Sequence, residues 1–291
     1  MLAGAYYNSP PMRDVAIIGA GELGGALAHV LARRSAAGEI RLIDETGSVA
    51  AGKALDITEA APIEGFATRV SGSTDVSTAA GTSVVVIADR FGGGEWQGED
   101  GLLLLRRILA LGAGAIVLCA GALQRELIER GVRELHVRRG TLFGSAPEAL
   151  AAAVRAIVAL ETNGSPRDVA LAVLGVPPSQ IVIPWETATI GGFAITRVLD
   201  EPSRRGINAR VAALWPPGPY ALAAAAAMIV ETIAGRSRRL ATCFVAPDDS
   251  EGMRTRTAAL PVRLGPAGIV DVVLPSLSVK ERGALDNAML L

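Results

Sequence analysis

DVAIIGAGELGGALAHVLARRSAAGEIRLID, residues 14–44, is the stretch that decides the fold. A short apolar run, Val15 to Ile18, leads straight into Gly19-Ala20-Gly21-Glu22-Leu23-Gly24. A helical pattern follows through Leu31, and a second apolar run ends on Asp44. The order is strand, glycine turn, helix, strand, acid. Gly19 permits the tight turn, Gly21 lets the backbone approach a pyrophosphate, and Gly24 lets the helix lie close on the strand. The first helical N–H groups, around Glu22 and Leu23, are unpaired and face that pyrophosphate. Asp44 stands about twenty residues further on, where a carboxylate accepts the hydroxyls of an adenosine ribose. It would also repel a 2′-phosphate, which favours NAD over NADP. The alternative for the same residues is a glycine-rich strand-to-helix turn with no ligand.

Outward from this unit, apolar strands and helical stretches alternate. Gly52 to Ala61 reads as helix, Phe66 to Val70 as a short strand, and Val84-Val85-Val86-Ile87 as a strand buried on both faces. Phe91 to Gly98 reads as a flexible loop, Leu102 to Leu111 as an apolar helix and Ala115 to Cys119 as another buried strand. Glu126 to Gly131 reads as a short helix and Glu134 to Val137 as a strand. This alternation predicts a doubly wound parallel sheet over residues 14–145, a dinucleotide-binding domain of Rossmann type. The remainder, 146–291, reads as an α+β substrate-type domain. Its helices are Glu148 to Thr162 and Ala221 to Ala234, its strands Val169 to Gly175, Thr242 to Val245 and Pro261 to Val273. A hairpin-like segment spans 180–196, near Gly191-Gly192, and the last helix opens on a capping box, Ser278 with Glu281. Residues 1–13 read as a flexible N-terminal arm, with Met12 a candidate start.

Composition narrows the function classes. The chain has 291 residues, half of them hydrophobic and a fifth charged, which is the balance of a large globular protein. A formal net charge of −1 gives no electrostatic case for nucleic acid or an anionic membrane. Cys119 and Cys243 lie in apolar runs and read as buried, reduced thiols, and with His29 and His136 they offer no zinc-ligand spacing, so no metal is expected. There is no secretory signal pattern, and the Ala-rich run from Ala221 to Val230 is too short to span a bilayer. The expectation is a cytoplasmic protein.

From Asp14 onward the chain resembles the malate/lactate dehydrogenase family. The resemblance rests on GAGELGGALAHVLA with LID, on GKALDITEAAPIEGF, on IGGFAIT, on ALPVRLGPAGI and on SVKERGALDNA. It implies NAD as cofactor, hydride transfer to and from a 2-hydroxy acid, and a homo-oligomer, dimer or tetramer. The family chemistry uses a proton-transferring histidine, an aspartate that holds it, a carboxylate-clamping arginine, loop arginines and an orienting asparagine. Carried over residue by residue, these roles fall on side chains that cannot perform them. The loop arginine positions are Gly93 and Glu99, and the asparagine is Gly121. The usual Leu-Asp-Ser-Ala-Arg reads Leu142-Phe143-Gly144-Ser145-Ala146, which puts Phe143 for the aspartate and Ala146 for the arginine. The usual Gly-x-His-Gly-Asp reads Gly175-Val176-Pro177-Pro178-Ser179, which puts Pro177 for the histidine.

These replacements imply a pseudoenzyme that keeps NAD binding through Gly19, Gly21, Glu22, Leu23, Gly24 and Asp44. Two rivals stay open: an active NAD-dependent oxidoreductase using non-family residues on another substrate, and a structural or regulatory partner without cofactor. Arg90, at the C-terminal end of a buried strand, is a candidate anion ligand or a plug of the cofactor slot, with Asp89 as its expected pairing partner. Ser145, Ser179 and Glu99 are the polar candidates around the emptied site. Trp96 reads as a lid or interface residue. Arg106 and Arg138-Arg139 read as solvated or ion-paired, with an anion site as the alternative.

Overall fold

The computed structural model describes residues 12–112, 115–248 and 256–290. The first half runs β1 (Met12–Ile18), α1 (Glu22–Arg33), β2 (Ala37–Ile43), α2 (Gly47–Glu64), β3 (Arg69–Ser73) and β4 (Val84–Ile87). A small hairpin of β5 (Asp89–Arg90) and β6 (Gly94–Glu95) follows. Then come α3 (Gly98–Ala110), β7 (Ile116–Cys119), α4 (Arg125–Leu135) and β8 (Leu142–Gly144). The larger strands pair in parallel in the order β3-β2-β1-β4-β7-β8. That is a doubly wound sheet, and its order reverses between β1 and β4, where such folds bind ligands. Every residue of β4 and β7 is buried, as expected for strands covered by helices on both faces.

The second half runs α5 (Ala146–Glu161), β9 (Val169–Ala170), β10 (Leu174–Val176), β11 (Gln180–Val182), β12 (Thr189–Ile190) and β13 (Phe193–Ala194). It continues with α6 (Glu201–Val211), α7 (Pro219–Ile233), β14 (Ala241–Val245), β15 (Ala258–Gly265), β16 (Gly268–Val272) and α8 (Val279–Met289). The sheet does not stop at β8. β14 joins it antiparallel, opposing Phe244 to Gly144, and β15, β10 and β11 extend it, with β16 on β15. The apolar α7 packs against both α1 and α5. Among the described residues no single helix is long and apolar enough to cross a membrane. A second core, with Leu150, Val154, Val158, Trp185 and Ile207, lies under α5 and α6.

Several sequence expectations shift in detail. Phe91 to Gly98, expected as a flexible loop, contributes Gly94 and Glu95 to the β5–β6 hairpin, and Gly98 already opens α3. The strand expected at 134–137 is absent. α4 instead continues to Leu135, helped by the Arg130–Glu134 pair one turn apart at 2.7 Å, and His136 caps it with a left-handed φ of 54°. The strand placed at 66–70 lies at 69–73, and the one placed at 169–175 splits into β9 and β10. β1 takes in Met12 and Arg13, which the sequence places in the N-terminal arm; the rest of that expected arm, residues 1–11, lies outside the described residues. The capping box of Ser278 and Glu281 is present in full, and β15 and β16 form the expected hairpin.

Candidate dinucleotide cleft

The glycine turn sits at the C-terminal ends of β1, β2 and β4. Gly19 leaves β1 with φ +108°, a conformation that favours glycine, and its N–H donates to the Ile43 carbonyl at 2.7 Å. A Cβ on Gly24 would lie 1.9 Å from the Gly19 carbonyl oxygen, so only glycine lets α1 lie this close to the strand. Gly21 is the N-cap of α1 and has no side chain to satisfy the helix's first N–H groups. Glu22 opens the helix and is exposed; Leu23 is buried.

The groups that satisfy those N–H donors come from the hairpin. The Asp89 carboxylate accepts from Leu23 N–H at 3.2 Å through Oδ2 and from Gly24 N–H at 2.9 Å through Oδ1. Its Oδ2 lies 2.3 Å from where a Gly21 Cβ would be, so the carboxylate rests directly on the bare Gly21 backbone. Lys53 donates to the Gly21 carbonyl at 2.6 Å. Asp44 is only 4 % exposed. It accepts from Ala20 N–H at 2.7 Å, Thr46 N–H at 2.9 Å and Phe91 N–H at 3.0 Å. The carboxylate expected to receive ribose hydroxyls is therefore engaged by three amides, one of them from the hairpin.

Asp89 and Glu95 oppose one another across the hairpin. Glu95 reaches the next strand over, where its carboxylate accepts from Ala122 N–H at 2.9 Å and Leu123 N–H at 2.7 Å. A Cβ on Gly121 would come within 2.1 Å of Glu95 Oε2, so the position assigned to the orienting asparagine is covered by this carboxylate. Gln124, fully buried, closes the turn by accepting from Gly121 N–H at 2.9 Å. Burial raises the Glu95 carboxyl above its ordinary 4.5, the two amides oppose that rise, and the Asp89 charge adds to it. A carboxyl raised in the folded state contributes stability that is complete below its unfolded value and is lost as the pH climbs through the folded value. Relative to Glu95→Gln, the wild type is thus expected to lose stability on going upward from pH 4.5. Urea midpoints of both proteins between pH 4.5 and neutrality measure it, and parallel curves would refute the assignment.

Arg90 does not pair with Asp89. Its guanidinium lies 4.6 Å over the Trp96 ring, 3.8 Å from Asp100 and 3.3 Å from the Gly93 carbonyl, which it reaches as donor. The side chain that lies on the glycine turn is Asp89, one residue earlier. Trp96 is buried beneath Arg90, as part of the hairpin's footing instead of a surface lid. Glu99, assigned by the resemblance to a loop arginine position, pairs with Arg130 at 2.7 Å. Arg139 pairs with Asp248. His29 on α1 pairs with Glu64 at the end of α2 at 3.2 Å.

The remaining assigned positions are apolar or inert. Phe143 and Ala146 are both fully buried, Phe143 with its ring edge near Gly268. Ser145, between them, donates its N–H to the Cys119 carbonyl, and its buried hydroxyl has no hydrogen-bond partner. Pro177 is buried and ends β10, with β15 and β14 lying between that strand and β8; Ser179 is exposed. The Cys119 thiol, beneath Glu95, is pushed far above the usual range by burial, so it supplies no nucleophile. Among the described residues no group of three or more metal-ligating side chains converges. Asp44, Lys53, Asp89 and Glu95 are each hydrogen-bonded to backbone groups. As folded, the cradle does not fit a pyrophosphate, because its amides and the space over Gly21 are taken.

Asp89, Glu95, Lys53 and Gln124 were not singled out as site residues in the sequence. For Asp89 one signal exists: a carboxylate just past a fully buried strand, at the sheet end where anionic ligands bind.

Residues 13–95 match a family model described as lactate/malate dehydrogenase, NAD binding domain. That match agrees with NAD as the dinucleotide expected from the glycine turn. A malate dehydrogenase of Thermomicrobium roseum is 29 % identical over 293 residues, covering 95 % of this chain and 94 % of its own length. A malate dehydrogenase of Thioalkalivibrio sulfidiphilus is 29 % identical over 296 residues, covering 96 % of both. Among solved structures, the malate dehydrogenase of Salinibacter ruber superposes with a TM-score of 0.83 at 24 % identity, covering 94 % of this chain and 93 % of that one. The Cryptosporidium parvum lactate dehydrogenase, solved with lactic acid and nicotinamide adenine dinucleotide, reaches 0.85 at 19 % identity, covering 95 % and 94 %.

Proposed function

From the premise that this chain belongs to the lactate/malate dehydrogenase family, we propose that it is a non-catalytic member that keeps the NAD-binding fold. The observation that carries this reading is the set of side chains at the assigned catalytic positions: Gly121, Phe143, Ala146 and Pro177. None of them moves a proton or clamps a carboxylate. General acid–base help is worth about 10²–10⁴ in rate. Each lost charge-assisted hydrogen bond to the substrate costs about 1.5–3 kcal/mol. Their joint loss removes useful turnover of malate or lactate. Within the same reading the protein is a cytoplasmic homo-oligomer. Its first unit, 14–145, carries the dinucleotide, and its second, 146–291, is a substrate domain that no longer serves chemistry.

A second reading, a scaffold or regulatory protein without cofactor, is favoured by one observation. The Asp89 carboxylate already satisfies the donors that a pyrophosphate needs. One experiment separates the two. NADH is titrated into the purified protein with fluorescence and melting temperature as readouts, and oxaloacetate and pyruvate turnover is measured alongside. Ligand that binds only the folded state raises the melting temperature by mass action. The expected outcome is binding without turnover. Absence of both would leave the scaffold reading, and turnover of either acid would sink the loss of catalysis.

A further inference from the structure

We infer that the β5–β6 hairpin is a built-in competitor of the dinucleotide. In the free protein the Asp89 carboxylate holds the pyrophosphate place on α1, and NAD enters only as Asp89 leaves. The inference rests on the NAD-binding reading above and adds a regulatory device to it.

Three observations meet at this point. First, Asp89 is bound like a ligand. It reaches the first turn of α1 from 65–66 residues away, onto donors that have no local cap. Two oxygens of one anion take two consecutive N–H groups at a helix N-terminus, the arrangement that a phosphate adopts there. Second, the carboxylate lies where the glycine cradle leaves room. The middle glycine of such a turn is bare so that a pyrophosphate can touch the backbone, and here Asp89 fills the space a Gly21 Cβ would occupy. A pyrophosphate and this carboxylate cannot share the space, and two anions would repel one another there. Third, the hairpin seals both flanks. Phe91 N–H bonds the Asp44 carboxylate on the ribose side, and Glu95 covers Gly121 on the other.

The hairpin is also built to lift. It pairs only Asp89 with Glu95 and Arg90 with Gly94, and its tip carries Gly92 and Gly94 at φ +69° and +71°. A two-stranded ribbon this short is marginal by itself, so its contacts with α1, Asp44 and the 122–123 turn hold it down. Lifting it exposes the Leu23 and Gly24 amides, with Lys53 beside the first turn of α1 to face an anion. A protein whose binding-competent state is a minor fraction shows an affinity reduced by that fraction.

The test compares wild type with Asp89→Ala and with Asp89→Asn, which keeps the side-chain shape if the alanine variant folds poorly. NADH, ADP and adenosine are titrated into each by calorimetry. Both variants are expected to bind NADH and ADP at least tenfold more tightly than wild type, with adenosine, which has no phosphate, unchanged. Equal NADH and ADP affinities in wild type and variants would overturn the competition while leaving NAD binding intact. A gain for adenosine equal to that for ADP would overturn it too, as general loosening of the cleft. No NADH binding by any of the three would overturn the NAD-binding reading and the competition with it.

Discussion

Phe143→Asp, which places at this position the residue type that the family resemblance assigns to it, is expected to unfold the protein and not to revive it. Phe143 is fully buried in β8, between β7 and β14. Removing a buried phenylalanine side chain costs about 3–5 kcal/mol by itself. The aspartate would add an ionised group to a fully buried site between β7 and β14. A domain's whole stability is of order 5–15 kcal/mol, so the sum takes most of it. Thermal and urea unfolding of the variant measure the loss. A folded Phe143→Asp protein with a near-native midpoint would mean that the site still has room and polarity for the old charge. On the proposed reading, the positions assigned to the aspartate and the arginine are occupied by buried core side chains, Phe143 and Ala146.

Glu148→Ala is expected to cost about 3–5 kcal/mol, the usual penalty for breaking a buried ion pair from one side. Glu148 lies at the start of α5, 7 % exposed, pairs with Arg155 and accepts from Thr242 N–H at 2.8 Å. The bond to Thr242 ties α5 to β14, so two donors lose their acceptor at once. Replacing both charges, as Glu148→Met with Arg155→Met, is expected to cost less than the single change, because no buried charge is then stranded. Urea midpoints of the single and double variants decide this. A double variant as unstable as Glu148→Ala would place the cost in packing instead of charge. The Cys243 thiol would respond as well, since burial and the Glu148 charge together hold it far above its usual range.

What the sequence disclosed and what it withheld divide by range of interaction. The turn at Gly19–Gly24, the buried strands β4 and β7 and the capping box at Ser278 are written in consecutive residues, and each has a local physical reason. The split of residues 169–175 into two strands and the extension of α4 to Leu135 are local errors of length, where neighbouring helix pairs and sheet partners decide the ends. The hairpin is a different case. Phe91-Gly92-Gly93-Gly94 has the composition of a free loop, and its order depends on Asp89 meeting Leu23 and Gly24 and on Glu95 meeting Ala122 and Leu123. No periodicity encodes a contact across 65 residues. The same limit hid the roles of Asp89 and Arg90: adjacent in sequence, they leave the hairpin in opposite directions, one into the cleft and one onto Trp96.

The unbroken sheet has a mechanical consequence. Strands β14, β15, β10 and β11 continue the same sheet that carries the glycine turn, and α7 braces α1 on one side and α5 on the other. A rigid-body swing of one half away from the other would have to tear sheet hydrogen bonds at Gly144 and slide α7 off two helices. Hinge motions need a few connecting residues that can absorb the rotation, and a shared sheet offers poor ones. Traffic into this molecule is therefore a matter of a small door in a stiff wall: a short segment between Asp89 and Glu95 moves, and the frame around it stays.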